Sequence, residues 1–333
     1  MILIVDFGSQ YNQLIARRVR ECRVYCQIES PSIAIEAIKA LNPEGIILSG
    51  GPSSIYEKNS PKMDAAVFDL DIPILGICYG MQFMVHSLGG RVKKADKREY
   101  GFAELRIAKS RGLFHGVKPK TNCWMSHGDS VETLPMGFVA TASTTNTRMA
   151  AAMHPVKKLW GVQFHPEVEH TSQGKKMIRN FLFDICRCKR SWTMKSFAKD
   201  SITQIKKQVG KKKVILGLSG GVDSSVTAML IHKAIGRNLI CICVDNGLLR
   251  KNELKSLRIS LKQHLKINIR FVNARQKFLN MLSGVMDPEK KRKIIGRVFM
   301  EVFEAEARKI KDAEFLAQGT LYPDVIESIS AFG

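Results

Sequence analysis

Two stretches of this 333-residue chain carry residue types at spacings that suit chemistry. The first is Ile74-Leu75-Gly76-Ile77-Cys78-Tyr79-Gly80-Met81-Gln82: an apolar run, a cysteine between two glycines, then a helical pattern. Gly-x-Cys-x-Gly has the form of a nucleophile elbow. Its glycines permit a sharp turn that lifts the nucleophile to a sheet edge and aims the next backbone N–H groups at an oxyanion. A helix that begins there favours a thiolate. A cysteine in such a place is also common as plain packing, so the motif needs a base. Of eight histidines, His165 stands out. In Gly161-Val162-Gln163-Phe164-His165-Pro166-Glu167 it directly follows an apolar run, proline stops the run, and a carboxylate lies two residues on. That spacing lets Glu167 hold the imidazole in one tautomer while His165 faces a thiol, the logic of nucleophile, base and orienter. For an isolated His-x-Glu, a loop histidine beside a solvated glutamate is the better reading.

The second stretch is Val214-Ile215-Leu216-Gly217-Leu218 followed by Ser219-Gly220-Gly221-Val222-Asp223-Ser224-Ser225. Small residues let the backbone approach an anion closely, a helix beginning near Ser224 offers its N-terminal N–H groups, and the serine hydroxyls add donors. The loop suits phosphate. It lacks the Walker lysine and is not Gly-x-Gly-x-x-Gly. An acid among phosphate ligands makes best sense as a partner for magnesium, which assigns Mg2+ to Asp223.

The elements that must position these residues are α/β. Nearly continuous apolar runs at Met1–Asp6, Gly45–Leu48, Ile72–Ile77 and Leu159–Phe164 predict strands buried on both faces. Three-and-four spacing predicts helices at Gln10–Arg20, Ser32–Leu41, Met81–Leu88 and Gly174–Cys186, the last presenting Met177, Phe181 and Ile185 on one face. The apolar pattern lapses around Arg187–Ser191. After an amphipathic segment, Met194–Val209, a second series follows: strand Val214–Leu218, helix Ser224–Ile235, strand Leu239–Asp245, helix Lys251–His264 and strand Ile269–Asn273. The expected architecture is two doubly wound α/β domains with mostly parallel sheets. We place them at residues 1–188 and 213–333, joined by a linker and entry helix at 189–212.

Composition narrows the classes. With 45% hydrophobic and 25% charged residues the chain is globular, and no apolar stretch is long enough to cross a membrane. The start, MILIVDFGSQ, lacks the form of a signal peptide, so a cytoplasmic protein is expected. Eight cysteines without a Cys-x-x-Cys fit neither a zinc cage nor a disulfide framework. All except Cys78 read as reduced apolar filler. A net charge of +22 attracts polyanions, but nothing interleaves arginine with aromatics for stacking bases, and a phosphate-handling enzyme explains the charge as well as a nucleic-acid binder. No nucleic-acid partner is expected.

GICYGMQ around Cys78, GIILSGGP at Gly45–Pro52 and GVQFHPE around His165 together resemble the class I glutamine amidotransferases. The resemblance implies that Cys78 attacks the side-chain amide of glutamine, with His165 as base and Glu167 as its orienter. It implies an oxyanion hole from the N–H groups of Gly51 and Tyr79, a substrate contact at Gln82, and a substrate-side loop containing His127 and Asp129, although Met125–Asp129 reads equally well as a surface turn. Ser-Gly-Gly-Val-Asp-Ser-Ser resembles the pyrophosphate loop of the N-type ATP pyrophosphatases, with their adenine-nucleotide α-hydrolase-like fold. This assigns Ser219, Gly220, Gly221, Val222, Asp223, Ser224, Ser225 and Asp245 to ATP.

Within that group, the segments Cys243–Arg250 with Lys251-Asn252-Glu253, Asp287–Gly296 and Ala317–Ser328 resemble the GMP synthetases, so the resemblance covers nearly the whole chain. It implies purine nucleotide biosynthesis by a ligase. Glutamine supplies ammonia, ATP adenylates xanthosine 5′-monophosphate, and GMP, AMP and pyrophosphate leave. Arg292, in a KKRK run, would meet the nucleotide phosphate; an exposed charged face is an equal reading. The family continues past Glu327-Ser328 through a lid over ATP and a domain that binds the nucleotide and forms a homodimer, whereas Ile329–Gly333 departs from the pattern. The expectation is a C-terminally truncated second domain. The alternative is a remnant that keeps only glutaminase and ATP-binding capacity.

Overall fold

The computed structural model describes residues 1–249, 259 and 267–319, with backbone alone at 95–98. The expected helix at Lys251–His264 and the segment from Thr320 onward lie outside the described residues, apart from position 259. The chain divides into two compact units, one containing Met1–Thr193 and the other Met194–Leu321.

The first unit holds a nine-stranded sheet. Its strands are β1 (Ile2–Val5), β2 (Cys26–Glu29), β3 (Gly45–Leu48), β4 (Ile74–Ile77), β5 (Arg91–Ile107), β6 (Lys120–Thr133), β7 (Val139–Ser143), β8 (Ala151–His154) and β9 (Leu159–Val162), in the order β2-β1-β3-β4-β9-β8-β7-β5-β6. From β2 to β9 every pairing is parallel. From β9 onward the pairings are antiparallel, ending in the long β5–β6 hairpin. The continuous apolar runs have their cause in the first half. In β1, Ile2 and Ile4 enter one core cluster while Leu3 and Val5 enter another, so each sheet face has its own core.

Helices α1 (Asn12–Glu21), α2 (Ile35–Leu41), α3 (Tyr79–Ser87) and α4 (Gly174–Asn180) cover these faces. The helix expected through Cys186 ends at Asn180 and continues as a π turn over Phe181–Ile185, so Met177 and Phe181 are fully buried while Ile185 is only partly so. Ile185 still packs against the core cluster that holds Met177 and Phe181, from its margin.

The second unit begins with α5 (Met194–Val209). Its four-stranded parallel sheet comprises β10 (Lys213–Gly217), β11 (Leu239–Asp245), β12 (Asn268–Asn273) and β13 (Ala313–Ala317), in the order β12-β11-β10-β13. Helices α6 (Val222–Ile235), α7 (Arg275–Leu282) and α8 (Pro288–Ala307) accompany it. Again the faces are separate: Val214 and Leu216 enter one cluster, Ile215 the other. Among the described residues no helix is long and apolar enough to cross a membrane.

Candidate active site

Cys78 stands between the end of β4 and the start of α3 with φ +50° and ψ −107°, a conformation that side-chain-bearing residues rarely adopt. Its neighbours explain how the turn closes. A Cβ on Gly80 would lie 2.4 Å from the Leu48 carbonyl oxygen, and one on Gly76 would lie 2.7 Å from the backbone of Gly80. Only glycine at both positions lets helix, turn and sheet approach this closely. The Cys78 N–H donates to the Val162 carbonyl at 2.7 Å, tying the elbow to the neighbouring strand.

That strand leads to the expected base. β4 and β9 pair in parallel with Ile77 opposite Val162, so the residues after each strand emerge at the same sheet edge. His165 is buried, and its Nδ1 lies 2.8 Å from Glu167 Oε1, whose side chain is wholly buried. The Cys78 thiol donates to the Ser126 carbonyl at 3.6 Å, and both it and His165 line one cavity. Burial disfavours the imidazolium, but the Glu167 charge and hydrogen bond, together with the neighbouring Cys78, outweigh it and hold the His165 pKa well above its ordinary value. The arrangement runs carboxylate, imidazole, thiol.

Around the thiol is a cavity of about 770 Å3. Gly51, Gln82, His127 and Asp129 line it together with Cys78 and His165. The N–H groups of Gly51 and Tyr79 have no hydrogen-bond partner among the described residues, as an oxyanion hole requires. Gln82 is placed in the cavity wall. Its amide nitrogen already donates to the Asp129 carbonyl at 2.8 Å and to Gln163 Oε1 at 3.2 Å, which leaves its oxygen for a ligand. The stretch Met125–Asp129 is no surface turn: it is part of β6, and His127 within it is buried.

Several residues near the thiol escaped the sequence reading. Gln163 is fully buried and its amide lies 3.6 Å from the Cys78 sulfur; a glutamine inside an apolar strand was the available signal. Arg18 is buried on α1 and donates from Nε to the Glu167 carbonyl while its other nitrogens pair with Glu21 and Glu169. The Thr171 hydroxyl donates to the His165 carbonyl at 2.6 Å and accepts from the Trp124 N–H at 3.1 Å. Neither Arg18 nor Thr171 has a sequence signature, since their partners are distant in the chain.

In the second unit, α6 begins at Val222, two residues earlier than expected, so Asp223 sits in the first helical turn rather than in the loop. Gly221 is the N-cap and no side chain caps the helix, so the first-turn N–H groups point outward unpaired. Ser219 and Ser224 hydroxyls lie 3.0 Å apart, Ser224 Oγ donates to the Gly221 carbonyl, and Gly220 has φ +82°. Ser225 closes the first helical bond through its N–H to the Gly221 carbonyl. The exposed Asp223 carboxylate has no partner among the described residues. Asp245, at the end of β11, is buried and accepts from the Gly247 N–H at 3.0 Å, with Arg275 3.4 Å from its other oxygen. Arg292, on the exposed side of α8, forms a two-pronged pair with Glu289 and touches none of these residues. No group of three or more potential metal-binding side chains occurs among the described residues.

These two sites have counterparts in known proteins. The class-I glutamine amidotransferase family model matches residues 3–185, more than half of the chain. The chain belongs to that family. An NAD synthase family model matches residues 195–308. Relatives similar across both units carry the name glutamine-hydrolysing GMP synthase. That of Heliobacterium modesticaldum is 53% identical over 98% of this chain, and that of Brachyspira hyodysenteriae 54% identical over all of it. The chain spans 64% and 65% of the length of these two relatives. A solved structure from Thermoplasma acidophilum, named as a candidate GMP synthase component, is 33% identical with a TM-score of 0.51, covering 56% of this chain and 93% of its own.

Proposed function

We propose that the two units make GMP from xanthosine 5′-monophosphate, with glutamine as nitrogen donor and ATP cleaved to AMP and pyrophosphate. One observation carries this reading: relatives named GMP synthase match at 53–55% identity through both units, including the thiol site and the phosphate loop.

In the first unit, glutamine enters the cavity beside Cys78. The thiolate attacks the amide carbon, negative charge builds on the oxygen facing the Gly51 and Tyr79 N–H groups, and His165 passes its proton to the departing ammonia. The remaining thioester is hydrolysed by water, with His165 now accepting a proton, and glutamate leaves. Glu167 keeps the imidazole oriented and stabilises its charged form throughout.

In the second unit, the uncapped first turn of α6 and the Ser219, Ser224 and Ser225 hydroxyls bind the outer phosphates of ATP. The C2 oxygen of the nucleotide attacks the α-phosphorus and pyrophosphate leaves; ammonia then attacks C2 and AMP leaves. The unpartnered Asp223 carboxylate at a phosphate loop is the oxygen donor a hard dication takes. Mg2+ bound there would neutralise phosphate charge. Arg292 would meet the nucleotide phosphate only by giving up Glu289, and Asp245 would meet ATP while holding Arg275. We place the protein in the cytoplasm and assign the homodimer to the full-length family.

The test is GMP formation from xanthosine 5′-monophosphate, ATP and Mg2+, run with glutamine and with ammonium. Product in both is expected. The Cys78→Ala variant should lose only the glutamine-driven reaction. Glutamate release without GMP from either nitrogen source would refute synthesis by this chain and leave the reading of a glutaminase with an ATP pocket.

A further inference from the structure

Behind the cavity wall lies a buried polar cluster that the reaction as written does not use. Glu99 of β5 faces His127 of β6 across the hairpin, and they are only 7% and 4% exposed. The Glu99 carboxylate accepts from the Thr144 hydroxyl at 3.1 and 3.3 Å and from the Thr147 hydroxyl at 2.5 Å. Both threonines belong to the turn between β7 and β8, which the Thr147 N–H closes onto Thr144 Oγ1 at 2.9 Å. Glu99 Oε2 lies 3.5 Å from His127 Nε2.

Counting protons defines the state of this cluster. The Asp129 carbonyl, 2.9 Å from His127 Nδ1, can only accept, so Nδ1 carries hydrogen. The single Thr147 hydroxyl proton goes to Glu99 at 2.5 Å rather than to His127 Nε2 at 3.5 Å. Nε2 and Oε2 face each other at 3.5 Å, and burial lowers the His127 pKa against the opposing pull of the Glu99 charge, which favours the neutral ring with a bare Nε2.

The cluster acts on the site through one carbonyl. His127 Nδ1 and Gln82 Nε2 both donate to the Asp129 carbonyl oxygen, and the Ser126 carbonyl lies 3.6 Å from the Cys78 sulfur. The wall Ser126–Asp129 is thus held from behind by His127, and His127 is held by Glu99. We propose that Glu99 is a positioning residue that, through His127, fixes the Ser126–Asp129 wall against which glutamine binds. It touches neither the substrate nor the reacting atoms. The inference rests on reading the cavity as a glutamine site.

The test compares the full chain with Glu99→Ala and Glu99→Gln in the alkylation of Cys78 by two reagents. One is a glutamine-shaped diazoketone, 6-diazo-5-oxo-L-norleucine, which must occupy the pocket; the other is iodoacetamide, which reports only the thiol. Glu99→Ala should raise the half-saturating diazoketone concentration about tenfold, equivalent to about 1.4 kcal/mol, with its limiting rate and the iodoacetamide rate unchanged. Glu99→Gln should restore the wild-type value, because its amide oxygen still accepts from the Thr144 hydroxyl and its N–H groups donate to the bare Nε2 of a neutral His127 and to a Thr147 hydroxyl turned to accept. An unchanged half-saturating concentration in Glu99→Ala would overturn the proposal. Equal losses with both reagents, or a Gln variant as impaired as the Ala variant, would overturn it too. A wild-type chain that reacts with iodoacetamide but never saturates with the diazoketone would instead remove the glutamine reading on which the proposal stands.

Discussion

Replacing Glu167 tests whether charge or geometry is its contribution. The carboxylate is wholly buried and 2.8 Å from His165 Nδ1, and its second oxygen has no partner among the described residues. Glutamine at this position keeps an acceptor for the Nδ1 hydrogen, removes the charge and places an amide NH2 where the second oxygen has no partner. A buried hydrogen bond to a charged group contributes about 1.5–3 kcal/mol and a neutral one about 0.5–1.5, so the charge accounts for about 1–1.5 kcal/mol. Glu167→Gln should therefore lower kcat/KM for glutamine hydrolysis about five- to tenfold, whereas Glu167→Ala should lower it about a hundredfold. The sign for the imidazole follows from the same balance. Burial lowers the His165 pKa and Glu167 is the first of the influences that raise it, so removing the charge must move the titration downward in pH. The assays are steady-state glutamate release and NMR titration of the His165 ring. Equal losses in the Gln and Ala variants would show that the charge alone matters. A titration that stays in place in Glu167→Gln would refute the electrostatic account.

Gly80→Ala puts a methyl group 2.4 Å from the Leu48 carbonyl oxygen, so α3 must move off β3; a loss of about 1–3 kcal/mol in unfolding free energy is expected, read from urea denaturation, together with loss of Cys78 reactivity. Asp223→Asn should slow Mg2+-dependent pyrophosphate release about tenfold or more and leave glutamine hydrolysis untouched, measured by the two product assays in parallel. Thr171→Val keeps the side-chain shape but removes the hydroxyl that links the His165 carbonyl to the Trp124 N–H; a loss of about 1–3 kcal/mol is expected in the same denaturation experiment.

Where the chain is buried on both sides, its sequence announces it. β1, β3, β4 and β9 read as unbroken apolar runs because each alternate residue meets a different core, and the elbow could be placed because its glycines and cysteine adjoin such a run. The β5–β6 hairpin gave no such signal. Arg91–Ile107 is crowded with lysine, arginine and glutamate, since much of the hairpin meets solvent, and it reads as a polar connection. Glu99 was hidden for the same reason: within Lys97-Arg98-Glu99-Tyr100 it looks like one more solvated charge, and only the register with His127 shows otherwise. The early start of α6 was obscured by Val222, an apolar residue that is 78% exposed in the first turn. Three-and-four spacing fitted the expected helix through Cys186 but could not reveal the π turn at Phe181–Ile185, which widens the helix without altering residue types.

The ladder bond from the Cys78 N–H to the Val162 carbonyl also bears on time. Cys78 directly follows β4 and His165 lies three residues beyond β9, the two paired strands in the middle of the sheet, so the backbone leading to both is anchored in an element that opens rarely. The opposite wall is tied to the same two residues, since the Trp124 carbonyl of β6 accepts from the His165 N–H at 3.0 Å and the Ser126 carbonyl lies 3.6 Å from the Cys78 sulfur, so a shift of the hairpin on the microsecond-to-millisecond scale reaches both at once.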